Sequence, residues 1–341
     1  MFKQDTNKRG HAIALYSGGL DSTLAILLIL RQNIKVTAVT FKTHFGCDFD
    51  DRASSGANLY SVAEKFGFDV KLIHLGQKFV DIVVNPKYGW GKNMNPCTDC
   101  RILMLKEAHE IMELLNADFI ITGEVLGQRP MSQVRDKLNL VVNKTGLKGK
   151  LLRPLSAKLL PPTEPELNGL VNREEMENIQ GRSRKRQIEL AHQFDLDDYP
   201  NPASGCLLTD VNYSMRLRDL IAHTDNISFD DINLLRVGRH FRFDATTKII
   251  IGRNEVDNNA ILAYRRPHHI KLEALNCGSP ITLLIGNQSE ENIVRAAAIT
   301  ARYTSLRRES RVEITVGEES EGRVYVVVPA SDDEIQKFVL R

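Results

Sequence analysis

Short apolar runs alternate with stretches of helical periodicity through the first third of the chain. His11–Tyr16 (HAIALY) reads as a buried strand and Thr23–Arg31 (TLAILLILR) as a strongly apolar helix. Ile34–Phe41 (IKVTAVTF) is β-branched and fits a second strand. Arg52–Phe66 sets Leu59, Val62, Ala63 and Phe66 at helical spacing. Val70–Leu75 is a third strand, Ile102–Leu115 an amphipathic helix, and Asp118–Thr122 (DFIIT) a fourth strand. This alternation predicts an α/β domain with a doubly wound parallel sheet. Ligands are expected outside the carboxyl ends of its strands. Leu159–Asn172 (LLPPTEPELNGLVN) predicts a loop or insertion, followed by a helix ending in Gln187–Phe194 and the loop Tyr199–Cys206 (YPNPASGC).

After about residue 212 the pattern changes. Ile227–Ile251 reads as short strands around a turn at Asp244–Thr247, and Ile281–Ile285 as another strand. Glu290–Thr304 is a helix, and Arg311–Val316 and Arg323–Val328 look like paired strands. The expectation is a domain over residues 1–212 and a smaller C-terminal α+β domain over 213–341.

A length of 341 residues allows two cores, and 42% hydrophobic with 26% charged content fits an ordinary soluble globular chain. No apolar run reaches the ~18 residues of a membrane span, and MFKQDTNKRGHA holds no signal-like apolar segment. A cytoplasmic protein without a membrane partner is expected. The net charge of +2 neither demands nor excludes nucleic acid. Five cysteines in such a chain are not expected to form structural disulfides, so their spacing matters.

Ser17-Gly18-Gly19-Leu20-Asp21-Ser22 lies between the first strand and the first helix. Glycines let the backbone approach a pyrophosphate, and free amides at a helix N-terminus favour anions. Ser22 adds a hydroxyl. Asp21 repels a bare phosphate, so its expected task runs through Mg2+ or through orienting the loop. The plain alternative is an N-capped helix with no ligand. The loop is not G-x-x-x-x-G-K-[ST], which disfavours γ-phosphate cleavage. It resembles the PP-loop of the N-type ATP pyrophosphatases, which have an adenine nucleotide alpha-hydrolase-like fold. That resemblance implies that ATP adenylates a substrate oxygen and that pyrophosphate leaves. Ser17, Gly18, Gly19, Asp21 and Ser22 would then bind the nucleotide.

Cys97 and Cys100 stand in Asn95–Cys100 (NPCTDC) at the start of a helix, a position that lowers thiol pKa and suits metal or redox work. Cys206 follows in a glycine-flanked loop. Three thiols with no obvious fourth ligand suit a site with one open position, such as a [4Fe-4S] cluster. Persulfide chemistry with a resolving thiol is the rival, and unrelated semi-buried thiols are the plain alternative. Cys47 and Cys277 lack such partners and read as structural, although Cys47 follows the second strand, near the expected ligand edge.

Thr122–Gln128 (TGEVLGQ), continued by Ser132 and Gln133, resembles the TGE-x-LGQ-x-x-SQ stretch of the 4-thiouridine tRNA sulfurtransferases, and Leu152–Leu155 resembles their RPL stretch. NPCTDC is similar to the NPCxxC of the 2-thiouridine tRNA thiolases. The resemblance covers about residues 11–210. It implies that Gly123 and Gln128 line the nucleotide site and that Phe41 and Lys42 approach the adenine. It also implies catalytic roles for Cys97, Cys100, Cys206 and Asp21, with the three cysteines as metal ligands. Two departures stand out. The 4-thiouridine enzymes usually carry an N-terminal RNA-binding domain, whereas ten residues precede the first strand, and no rhodanese-like C-terminal segment is visible. The three-cysteine pattern instead resembles thiolases with a [4Fe-4S] cluster.

Gly252-Arg253-Asn254-Glu255, Asn258-Asn259, Ala296-Ala297, Thr300-Ala301, Tyr303 and Arg307-Arg308 resemble the RNA-binding domain of NFACT proteins over about residues 230–330. The resemblance implies an RNA partner, gripped through its phosphates. His268 and His269 beside Arg265, Arg266 and Lys271, extended by Arg302, Arg307, Arg308 and Arg311, form the expected basic face; a solvated surface is the alternative. Arg182, Arg184, Lys185 and Arg186 form a second basic cluster, suited to the acceptor side of a tRNA or to an exposed helix face.

The leading expectation is a tRNA sulfurtransferase carrying out ATP-dependent uridine thiolation, with uridine 8 favoured. It would use ATP, Mg2+, a [4Fe-4S] cluster, tRNA and a sulfur donor, either free sulfide or a persulfide-carrying protein. The alternatives are 2-thiouridine synthesis at position 34, adenylation of a small molecule, and a non-catalytic RNA-binding factor.

Overall fold

The computed structural model describes residues 8–46, 55–129, 132–197, 199, 206–318 and 322–340. Cys47 lies outside them, so the reading of its place falls outside the described residues. The chain divides into two compact units, Met1–Leu208 and Thr209–Arg341.

The first unit runs β1 (His11–Leu15), α1 (Leu20–Leu30), β2 (Lys35–Lys42), α2 (Ser55–Phe66), β3 (Asp69–His74), α3 (Gly76–Val84), α4 (Cys97–Leu114), β4 (Phe119–Thr122), α5 (Arg135–Thr145), β5 (Leu151–Leu152), α6 (Glu164–Leu167) and α7 (Lys185–Gln193). Its five strands are parallel, in the order β3-β2-β1-β4-β5. Alternation along each strand splits the side chains between two cores. Ala12, Ala14, Val36, Ala38, Phe119 and Ile121 pack with residues of α1, α2 and α7. Ile13, Val39, Ile120 and Leu151 pack with residues of α4 and α5 on the other face. Such double coverage lets strands be apolar on both sides, and it is the doubly wound arrangement.

The second unit runs α8 (Val211–His223), α9 (Phe229–Leu234), β6 (Arg239–Arg242), β7 (Lys248–Ile251), α10 (Glu255–Ala263), β8 (Ile270–Ala274), β9 (Thr282–Ile285), α11 (Glu290–Arg302), β10 (Val312–Val316), β11 (Arg323–Val327) and α12 (Asp332–Phe338). Its six strands form an antiparallel sheet in the order β11-β10-β8-β9-β7-β6. Ile249, Ile251, Leu272, Leu284 and Ile314 pack against α11 and α12. Ile250 and Leu283 face α9 and α10 through Leu234 and Ile261. This is an α+β unit.

Three segments differ from the expected pattern. Ile227–Ile251 is not all strand, because Ser228 and Asp231 form a reciprocal capping box that opens α9. Leu159–Asn172 is not all loop, because Thr163 and Glu166 cap the single turn of α6. The helix expected over Ile102–Leu115 begins at Cys97, so both cysteines lie in its first turn.

Candidate active site

The carboxyl edge of the first sheet collects the chemistry. β1 ends into Ser17–Ser22, β2 into Thr43–Phe45, β4 into Gly123–Gln128 and β5 into Arg153. Gly18 takes φ +74° and Gly19 is extended, which turns the chain from β1 into α1. Ser22 Oγ donates to Gly19 O at 2.9 Å and accepts from Ser17 N at 3.3 Å, closing the loop on itself. Gly123 packs flat on this loop. A Cβ there would lie 2.5 Å from Ser22 N and 2.6 Å from Asp21 C, so only glycine fits. Gly123 therefore supports the loop from below.

Asp21 is held from two sides. Gln128 Nε2 donates to its Oδ2 at 2.8 Å, and Arg184 Nη2 approaches the same oxygen at 3.4 Å. Gln187, fully buried, donates weakly to Gln128 Oε1 at 3.5 Å. Asp21 Oδ1 and Gln187 Oε1 are buried without a hydrogen-bond partner among the described residues. Phe41 packs in the core on the α4/α5 side, and half-buried Lys42 accepts at its backbone oxygen from Leu75 N at 3.0 Å. Arg184 is expected to steady Asp21 for the nucleotide. Arg184→Ala should weaken Mg-ATP binding roughly tenfold, about 1.4 kcal/mol, measured by calorimetry; unchanged affinity would remove Arg184 from the site.

The thiols gather at the same edge. Cys97 is exposed at the start of α4, Cys100 sits one turn on, and Cys206 Sγ lies 3.5 Å from Phe45 O. Burial pushes the Cys100 thiol up to about 12. Arg101 opposes this, while the charges of Cys206 and Cys97 add to it, so Cys100 lies within electrostatic reach of both other thiols. Burial also raises the Cys97 thiol, against Arg101 and Arg129. The expected lowering of thiol pKa at a helix start is therefore reversed, because desolvation outweighs the helix dipole and the guanidiniums. The donor set is soft, three thiols beside the guanidiniums of Arg101 and Arg129. Among the described residues, no group of three or more His, Cys, Asp or Glu side chains is drawn together tightly enough to hold a metal.

One buried carboxylate joins the two sites. Glu124, 3% exposed, accepts from Arg153 Nε at 2.9 Å and Thr122 Oγ1 at 3.1 Å, and its other oxygen lies 3.4 Å from Arg101. Burial acts to raise its pKa, but Arg101, Arg153 and these hydrogen bonds overcome it and hold the carboxyl below its ordinary value. The TGE and RPL stretches thus meet as one ion pair. Glu124, Arg101 and Gln187 escaped the sequence reading as site residues; the signal was there in the two motifs, which had to meet for a reason.

The basic clusters are mostly spoken for. Arg186 pairs with Glu177 and Glu189, leaving Arg182 and Lys185 exposed. In the second unit Arg265 pairs with Glu318, Arg266 with Asp231, Lys271 with Glu273 and Arg302 with Asp332. His269 is buried, and desolvation takes its pKa down to about 4, so it is no surface cation. Arg307, Arg308 and Arg311 remain exposed. The Gly252–Asn259 motif is spent on architecture. Asn254 caps α10, Asp257 accepts from Gly238 N, Arg253 N and the Arg253 side chain, and Asn258 Oδ1 accepts from Ile281 N at 3.0 Å.

No helix among the described residues is long and apolar enough to cross a membrane. Residues 7–158 match the family described as thiamine biosynthesis protein (ThiI), and residues 238–339 match the NFACT protein RNA binding domain. The tRNA-specific 2-thiouridylase MnmA of Cytophaga hutchinsonii is 28% identical over 160 residues, 41% of this chain and 40% of that protein. A probable tRNA sulfurtransferase of Thermococcus kodakarensis is 28% identical over 156 residues, 43% of this chain and 37% of that protein. The chain therefore spans about two fifths of the length of these curated relatives. A solved 4-thiouridine synthetase–RNA complex with bound ATP aligns at a TM-score of 0.35 and 18% identity, covering 55% of this chain and 52% of that one. The chain is thus similar to the ThiI family over residues 7–158 and to the NFACT-type RNA-binding domain over residues 238–339.

Proposed function

We propose that this protein is an ATP-dependent tRNA sulfurtransferase that replaces a uridine oxygen with sulfur, with 4-thiouridine at position 8 as the favoured product. The observation that carries this reading is the buried bridge Arg153–Glu124–Arg101, which runs from the nucleotide edge to the first turn of α4, where Cys97 and Cys100 stand. An adenylating loop needs a nucleophile nearby, and the thiols are the groups at hand to hold one. The relatives' names and the two family matches support the same reading.

In this reading residues 1–212 form the catalytic domain and 213–341 grip the tRNA. The Ser17–Ser22 amides bind the triphosphate, and Gln128 and Arg184 hold Asp21, whose Oδ1, without a partner among the described residues, would serve as a Mg2+ ligand. The uracil carbonyl oxygen attacks the α-phosphorus and pyrophosphate leaves. Sulfide from a donor then attacks the activated ring carbon; the C–S bond forms as the C–O bond breaks, and AMP carries off the oxygen. Cys97, Cys100 and Cys206 would hold a [4Fe-4S] cluster, which supplies an open iron site for sulfide. Arg101, beside Cys97 and Cys100, and Arg129, beside Cys97, would offset the negative charge of the thiolates once ligated.

The test is tRNA-dependent pyrophosphate release, with nucleoside mass spectrometry of the product. Anaerobically purified protein should contain four irons per chain and make 4-thiouridine. Cys97→Ala, Cys100→Ala and Cys206→Ala should each lower thiolation at least about 100-fold, about 2.7 kcal/mol, while ATP binding persists. Pyrophosphate release indifferent to tRNA would sink the reading, and a colourless one-zinc protein would sink its cluster.

A further inference from the structure

The segment before the cysteines, Lys87-Tyr88-Gly89-Trp90-Gly91-Lys92, has no role in the chemistry above. It is held firmly. Asp99, 7% exposed and lying between Cys97 and Cys100, accepts from Lys87 N and Tyr88 N, both at 3.1 Å. Gly91 N donates to Asn95 O at 2.8 Å, and Met94 N donates to Leu208 O at 3.0 Å. Trp90 Nε1 donates to Val83 O at 2.9 Å, which fixes one edge of the indole. The rest of the ring stands open, with Trp90 47% exposed. Glycines flank it on both sides, and Lys87 and Lys92 beyond them are exposed.

An exposed, pinned indole between two cations is poor economy for a core but suits an unpaired nucleobase. A base stacks on the ring while ammonium groups meet the adjoining phosphates. The buried Asp99 makes the loop and the first turn of α4 one rigid piece, so a base on Trp90 is held at a fixed place relative to Cys97. We propose that Trp90 is a stacking platform for an unpaired base of the RNA substrate, presenting it to the thiol edge. This rests on the reading that the chain acts on RNA.

Trp90 is the chain's sole tryptophan, so its fluorescence reports this site alone. Full-length protein would be titrated with tRNA and with a uridine-rich single-stranded oligonucleotide, following binding by anisotropy of labelled RNA and Trp90 by emission and acrylamide quenching. Saturable loss of emission and protection from acrylamide are expected. Trp90→Ala should weaken oligonucleotide binding about tenfold with Mg-ATP affinity unchanged. Trp90→Phe, which keeps a ring but loses the Val83 bond, should recover most of the binding. If labelled tRNA binds the wild type while Trp90 stays as open to acrylamide as in the free protein, the platform is overturned and the RNA reading survives. If tRNA does not bind the wild type at all, the RNA reading itself falls.

Discussion

Gly123→Ala is expected to abolish Mg-ATP binding, by at least about 100-fold or 2.7 kcal/mol, and to destabilise the first unit by roughly 1–3 kcal/mol. The added methyl would meet Ser22 N at 2.5 Å and Asp21 C at 2.6 Å. Those are backbone atoms of the first turn of α1, and they cannot rotate away. Either the end of β4 or the start of α1 must move. Moving α1 breaks the bonds by which Ser22 closes the phosphate loop. Calorimetry with a non-hydrolysable ATP analogue and thermal unfolding would read both effects. A variant that binds the analogue like wild type would show that the loop tolerates displacement and that Gly123 has been misread.

The second large effect is at Glu124. Glu124→Gln removes one member of a buried ion-pair cluster and leaves Arg153, 6% exposed, without its anion. Breaking a buried pair from one side costs about 3–5 kcal/mol. Arg153 Nη2 already lacks a partner among the described residues, so the cluster has nothing in reserve. The pH dependence has a definite sign. The folded carboxyl is held below its ordinary value, so the unfolded chain takes up the proton first. The stabilisation is fully present above about pH 4.3, the ordinary glutamate value, and drains away as the pH falls through the lower folded value. Urea unfolding of wild type and Glu124→Gln between neutral pH and pH 3 should converge on acidification. Parallel curves would mean that Glu124 is not charged in the fold.

Much of the first unit could be read directly from the chain. Strands such as HAIAL and VTAVTF are apolar on both faces because helices cover both, and that composition survives any error of a residue or two at the ends. The phosphate loop was legible because glycines and a helix start are local features. What escaped was set by distance or by brevity. α9 is six residues long and is specified by its cap, so no periodicity could announce it. The pKa of the cysteines was misjudged because a helix start is a local feature, whereas burial is made by the whole fold. The basic face failed similarly: the partners of Arg265 and Arg302 lie 53 and 30 residues away, at Glu318 and Asp332.

The motif Gly252–Asn259 carries a different lesson. Its Asn254, Asp257 and Asn258 are all engaged within the unit, as a cap, a clasp on the Gly238 turn and a tie to Ile281. A signature of this kind marks an architecture and is silent about what that architecture touches. Alanine scanning across it would report collapse of the unit, and any lost affinity would be mistaken for a lost contact. The informative scan lies at Arg307, Arg308 and Arg311, which are exposed and, among the described residues, bear no ion pair.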